Sequence, residues 1–417
     1  MKAKISFTEK KYMLTLVFVT SLFMFWGIAI TMGDVLNKHF QTVLNVSKAD
    51  SGLVQFSIFG AYFIMSIPAG MFMKKFGYKY GVLLGLILFA AGSFLFIPAA
   101  EAQSFSFFRI ALFVLGCGLA TLETVAHPFM AALGDQRSSD RRVNFAQAFN
   151  AVGSMIGPAL GTYFLLRGSY NVPTEGLDAV KNLYLGIGAV IILIAVCFSF
   201  IKIPNLMDPH KAAEEVDLDA VNIDVAPEKK LFQHRHFVWA VIAQFFNVAA
   251  QGGTWAFFIN YGHEVMGFSD EKAGSYLVLF MGMMLLGRFV GTFLMRYIAA
   301  NKLLAIFALA NILMCLVVAQ GWGWISFAAL LSVNFFFSIM FPTIFSLGLK
   351  NLGGHTQQAS SFISMGVAGA AVFPFFMGLV ADTDIAMAYY LPIGCYIVIF
   401  LFGAKFYKVQ FGGNKAI

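Results

Sequence analysis

Apolar runs of roughly 18 residues or more recur along almost the whole chain, and this feature narrows what it can fold into. Within a bilayer no water satisfies backbone N–H and C=O groups, so only helices and closed barrels can span it. The short alternating pattern of an outer-membrane barrel is absent, which leaves an all-α membrane protein. Composition agrees: 59% of the 417 residues are hydrophobic and 12% charged, against about half and about a quarter in soluble domains.

Polar or Gly/Pro breaks divide the runs into about twelve helices. They are expected over 12–36, 50–73, 79–99, 105–133, 142–167, 181–203, 236–263, 270–297, 302–320, 324–350, 356–381 and 386–408. The segment 204–235 is polar, mixed in charge and rich in proline, and reads as a cytoplasmic linker. It separates a six-helix half over 1–203 from another over 236–417. The halves echo each other. Gly70 to Phe76 closes the second helix as Gly291 to Tyr297 closes the eighth, Pro128 and Gly134 match Pro342 and Gly348, and Phe149 and Gly153 match Phe362 and Gly366. Two six-helix halves with an internal repeat are the plan of a major-facilitator transporter, whose substrate binds near the midplane between the halves.

The net charge of +7 is positional and does not point to nucleic acid. Lys2, Lys4, Lys10 and Lys11 precede the first run, and alternate loops hold Lys74, Lys75, Lys79, Arg137, Arg141, Arg142, Lys211, Lys229, Lys230 and Arg235. The other loops hold only Lys38, Lys48, Arg109, Arg167, Lys181 and Lys272. By the positive-inside rule both termini are cytoplasmic. Cys117, Cys197, Cys315 and Cys395 lie far apart inside apolar runs, with neither metal-ligand nor disulfide spacing. The first run is too long for a signal peptide and lacks its cleavage site, so it is read as a span.

Of 21 acidic residues only Asp34 and Glu123 fall inside spans, and of 28 basic residues only Arg288 does. Such a residue costs roughly 2.5–3.5 kcal/mol on insertion scales, so each needs a reason. Glu123 is either a permanently neutral acid fastening two helices or a proton carrier, since a buried carboxylate can hold and release a proton near neutral pH. Asp34 lies late in the first helix, either touching solvent or relaying protons toward Glu123. Amides form a second pattern. Asn144, Gln147 and Asn150 share one face of the fifth helix, and Gln244, Asn247 and Gln251 share one face of the seventh, with Trp255 one turn on. Such side chains often only bond neighbouring helices. They also suit a neutral polyol, because amides donate to and accept from hydroxyls while an aromatic face covers C–H surface. Gln147, Asn150, Gln251, Trp255, Asn247 and Trp26 are the expected sugar contacts. His127 follows Glu123 by one turn and either tunes that acid or simply packs.

The segments 121-TLETVAHPF-129, 144-NFAQAFN-150, 243-AQFFNVAAQGGTW-255, 341-FPTIFSLGLKNLG-353 and 360-SSFI-363 resemble the L-fucose permease family, the fucose–galactose–glucose/proton symporters of the major facilitator superfamily. The loop 70-GMFMKKFGYK-79 looks like the general facilitator signature with Lys74 in place of its Asp, a departure this family shares. The resemblance implies proton-coupled sugar uptake across a bacterial inner membrane by a monomer without cofactor. It casts Asp34 as the outer proton-linked acid, Glu123 as the coupling acid, and Gln147 and Asn150 as cavity amides. Departures fall at Ile30 to Gly33, where the family is asparagine-rich, and at His127, where it has Asn. They leave open another hexose or an amino sugar, and the acids could ligate Na⁺ instead of carrying H⁺. Rival readings are an exporter of amphipathic compounds, a membrane enzyme and a non-transporting sugar receptor. No nucleophile–base pair or metal cluster in the spans favours an enzyme.

Overall fold

The computed structural model describes residues 8–134, 139–167, 173–201, 230–295, 297–350, 352 and 356–408. Among them there is no strand. The helices are α1 (Met13–Leu44), α2 (Lys48–Ser51), α3 (Leu53–Phe94), α4 (Phe96–Glu101), α5 (Phe105–Ala132), α6 (Ser139–Gly161) and α7 (Pro173–Phe200). They continue with α8 (Arg235–Ala256), α9 (Phe258–Glu264), α10 (Asp270–Leu294), α11 (Ala300–Val318), α12 (Trp324–Phe337), α13 (Met340–Gly348), α14 (Thr356–Met365), α15 (Gly369–Ala381) and α16 (Leu391–Leu401). Each stretch expected to be a span is helical, and the linker's residues 204–229 lie outside the described residues.

Eleven helices among the described residues are long and apolar enough to cross a membrane. The expected span 236–263 is not one of them. Its main helix, α8, has 22 residues, but Gln244, Asn247 and Gln251 dilute its apolar character. The expected spans 50–73 and 79–99 run together as α3, broken only at Gly77, whose φ of 83° and ψ of 172° suit glycine alone. The span expected over 324–350 is broken at Ser338–Ile339, and that over 356–381 passes through a 3₁₀ turn, Gly366–Ala368.

The chain packs as two compact units that do not follow chain order. One contains residues 1–32, 64–164 and 170–228; the other contains 33–63, 165–169 and 229–417. In the first, α1 and α6 meet backbone to backbone. A Cβ on Gly153 would fall on the carbonyl of Met24, and one on Gly27 on the carbonyl of Asn150. In the second, α8 is approached in the same way. A Cβ on Gly366 would stand 3.1 Å from the Gln244 Cβ. Gly153 and Gly366 are partners in the sequence repeat, and each lies against the first helix of its own half.

The second unit also gathers the end of α1, α2 and the start of α3 onto the C-terminal helices. The Lys48 backbone N–H donates to Asp382 Oδ1 at 2.8 Å, and its ammonium donates to the Ala381 carbonyl at 2.6 Å and pairs with Glu264 at 2.9 Å. Lys38 stands 3.6 Å from Asp270, whose same oxygen lies 2.9 Å from His263 Nδ1. Arg167 pairs with Glu271 at 3.5 Å, and Lys181 with Asp178. Four of the six cations of the sparser loop set, Lys38, Lys48, Arg167 and Lys181, are thus held by carboxylates, while the Lys272 ammonium lies 4.3 Å from the Phe268 ring centroid. Arg142, counted in sequence among the loop charges, is instead buried, and its Nε donates to the Met130 carbonyl at 3.1 Å near the C-terminus of α5.

Because Gly153 faces a backbone carbonyl that cannot rotate away, Gly153→Leu should force α1 and α6 apart. We expect a loss of about 1–3 kcal/mol, read as a lower thermal unfolding midpoint of purified protein in detergent. An unchanged midpoint would contradict the close crossing.

Candidate functional site

In the first unit, Phe23 and Trp26 of α1 and Leu122, Glu123 and His127 of α5 line a small cleft. Thr121 and Thr124 turn their hydroxyls back to the Cys117 and Ala120 carbonyls, at 2.7 and 2.8 Å, so both are satisfied within α5. Glu123 is half-buried on the cleft wall. One turn on, His127 Nδ1 lies 3.0 Å from the Glu123 carbonyl oxygen, and the edge of the ring packs against Phe23 at a centroid distance of 5.0 Å.

The opposite nitrogen, His127 Nε2, lies 2.8 Å from the side-chain nitrogen of Gln147 on α6. Asn150, one turn after Gln147, donates its amide N–H to the Phe23 carbonyl at 3.1 Å. Glu123, Trp26, Gln147 and Asn150 are therefore brought together by three helices of one unit. Each amide also fastens helices: Asn150 ties α6 to α1, and Gln147 ties α6 to α5.

Asp34 belongs to the second unit and is 4% exposed. Gln55 of α3 donates to its Oδ1 at 2.9 Å, while Asp34 Oδ2 and Gln55 Oε1 have no partner among the described residues. On α8 the expected amide face divides. Gln244 and Asn247 are fully buried with both amide ends unpartnered among the described residues, and Gln251 is half-buried. Trp255 is 6% exposed, and its indole N–H donates to Asn334 Oδ1 at 3.1 Å. Asn334 in turn donates to the Phe280 carbonyl at 2.8 Å, which locks the indole among α8, α10 and α12.

Sequence reasoning missed Gln55, Asn334 and the pair of Gln41 with Asn260, whose amide donates to Gln41 Oε1 at 2.6 Å. A polar residue inside an apolar run was the available signal for each. Their partners lie 21, 79 and 219 residues away, so no local spacing could reveal the pairing.

Apolar spanning helices, a half-buried carboxylate in a cleft and amides on neighbouring helices define a polytopic membrane transporter. The chain belongs to the Major Facilitator Superfamily, whose family model matches residues 14–374. It is 36% identical to the L-fucose-proton symporter of Escherichia coli (strain K12), over 94% of this chain and 93% of that protein. It is 34% identical to the glucose/galactose transporter of Brucella abortus, with 95% of each chain covered. The crystal structure of the facilitator FucP in its outward conformation superposes with a TM-score of 0.68 at 34% identity, covering 96% of this chain and 100% of that one. These relatives are named as transporters, not enzymes.

Asn334 satisfies both Trp255 and the Phe280 carbonyl, so Asn334→Ala leaves a buried indole N–H and a carbonyl unpaired. The expected cost is about 1 kcal/mol or somewhat more, measured as a fall in thermal unfolding midpoint. No change in the midpoint would show that the indole is not held by this bond.

Proposed function

We propose that the protein takes up a neutral monosaccharide, L-fucose or a related hexose, by proton symport through alternating access. The observation that carries this reading is the cleft itself, where the half-buried carboxylate of Glu123 shares one small space with the indole of Trp26. A carboxylate that binds a proton loses its charge, which changes the cost of closing the site around it. A hydroxyl-rich neutral ligand then supplies the hydrogen-bond partners that amides and a protonated acid need. The relatives named above as an L-fucose-proton symporter and a glucose/galactose transporter support the same class of cargo.

In this reading Glu123 carries the coupling proton and Asp34 relays it from outside. Gln147, Asn150 and Trp26 hold the sugar, and further contacts are proposed for Gln251, Asn247 and Trp255 on α8. The moving parts are the six-helix halves 1–203 and 236–417, joined by the linker 204–235. The asymmetry of Lys and Arg between the loop sets supports both termini in the cytoplasm, and the bacterial relatives support an inner-membrane location; the protein acts in this reading as a monomer.

The decisive experiment is uptake of labelled L-fucose into proteoliposomes under an imposed pH gradient, with a sodium gradient alone as the parallel arm. Accumulation driven by pH is the expected result, and accumulation driven only by sodium would reassign the ion. Glu123→Gln should abolish accumulation above equilibrium while exchange of labelled for unlabelled sugar persists, because a permanently neutral side chain still cycles when loaded. Loss of sugar binding in a folded Glu123→Gln protein would refute the coupling role.

A further inference from the structure

His127, which lines the cleft, decides which end of the neighbouring Gln147 amide stays uncommitted. The His127 Nδ1 atom lies 3.0 Å from the Glu123 backbone carbonyl. A carbonyl oxygen only accepts, so this nitrogen must carry the hydrogen. In a neutral imidazole the other nitrogen, Nε2, then has only a lone pair. It lies 2.8 Å from the Gln147 amide, which must therefore turn its N–H₂ toward the ring and donate. This assignment follows from the carbonyl and the ring. The reverse orientation would set two lone pairs, the amide oxygen and Nε2, against each other. Phe23 packs its ring against the imidazole and holds its plane. Gln147 is half-buried, and its side chain bonds among the described residues to His127 through the nitrogen, which leaves Oε1 as the remaining end of the amide.

Resting on the sugar-transport reading above, we propose that His127 is a specificity-determining positioning residue. By taking the Gln147 N–H, it leaves the Gln147 carbonyl oxygen as the group offered to the substrate. The site then selects, at one position of the sugar, a hydroxyl or amine that donates a hydrogen. It rejects an isosteric group that can only accept. A lone glutamine would discriminate little, since its amide flips to suit either partner. The fixed orientation makes the rejection effective, because a non-donating group leaves the carbonyl unpaired when the site closes.

The test uses the full-length protein in proteoliposomes and the set of monodeoxyfluoro analogues of the transported hexose, since fluorine matches a hydroxyl in size but cannot donate. In the wild type one analogue should compete about tenfold more weakly than the parent sugar. In His127→Gln, whose amide can donate or accept and so no longer fixes Gln147, that gap should shrink to about twofold while the parent sugar loses much less. Equal weakening of every sugar, or an unchanged gap, would overturn the proposal. If His127→Gln does not yield monodisperse protein, His127→Asn is measured in the same way.

A second measurement separates this proposal from the sugar reading. In protein labelled with ¹⁵N-histidine, with His127 assigned by its loss in the variant, the ring should be the neutral Nδ1–H tautomer at pH 7. Its Nε2 resonance should shift in Gln147→Leu. An imidazolium, an Nε2–H tautomer or an insensitive Nε2 would refute the orientation whether or not any hexose is carried.

Discussion

Hydrocarbon offers no hydrogen bonds, so every polar group taken into the spanning region must find its partner within the protein. Helices settle this for the backbone. For side chains it leaves a sharper requirement, and most of the specific structure here answers it. Threonines on α5 return their hydroxyls to their own helix, Arg142 satisfies a carbonyl near the end of that helix, and Asn334 serves an indole and a carbonyl at once. Against that background the groups left with unused capacity stand out. Among the described residues they include one oxygen of Asp34, one of Gln55 and the amides of Gln244, Asn247 and Asn311.

The glycine crossings explain how polar side chains can reach one another at all. Where α1 and α6 touch backbone to backbone, side chains as short as that of Asn150 can bond the neighbouring main chain. Larger residues at Gly27 or Gly153 would separate the helices and leave the Asn150 amide without the Phe23 carbonyl. The corresponding approach of Gly366 to α8 shows the same device in the other half of the sequence repeat. Small residues thus act on function indirectly, by setting the depth at which an amide can be fixed.

Much of this was legible in sequence because spanning helices are written as long local runs. The helical stretches, the two intramembrane acids and the shared face of Gln147 and Asn150 followed from length, cost and helical spacing, while their place beside Glu123 was implied only by the family resemblance. What was not legible depended on pairs distant along the chain. Gln55 as the partner of Asp34 and Asn334 as the anchor of Trp255 are each single polar residues in apolar runs, with nothing local to name their partners. Trp255 shows the limit best. Spacing placed it one turn beyond Gln251 but could not name Asn334, 79 residues on, which takes its indole N–H. Helical phase gives the face of a residue, whereas the neighbouring helix decides whether that face is open.

The contacts that hold residues 33–63 to the C-terminal helices combine glycine crossings with ion pairs: a Cβ on Gly378 would stand 2.6 Å from the Ala49 Cα, and one on Gly52 2.9 Å from the Pro374 carbonyl carbon. The ion pair of Lys48 with Glu264 has side chains 18% and 34% exposed, and Arg167, in the 165–169 segment of the same unit, pairs with Glu271 at 60% and 50%. Pairs of this exposure contribute roughly 0–1 kcal/mol each and are readily replaced by water. A backbone crossing has no such substitute, because separating it opens a void that lipid or water fills poorly. Both grades of contact therefore occur in the second unit, tight crossings beside ion pairs that water can replace. In the first unit the crossing of α1 and α6 at Gly27 and Gly153 is of the tight grade, and it sets the distance across which Asn150 reaches the Phe23 carbonyl beside the Glu123 cleft.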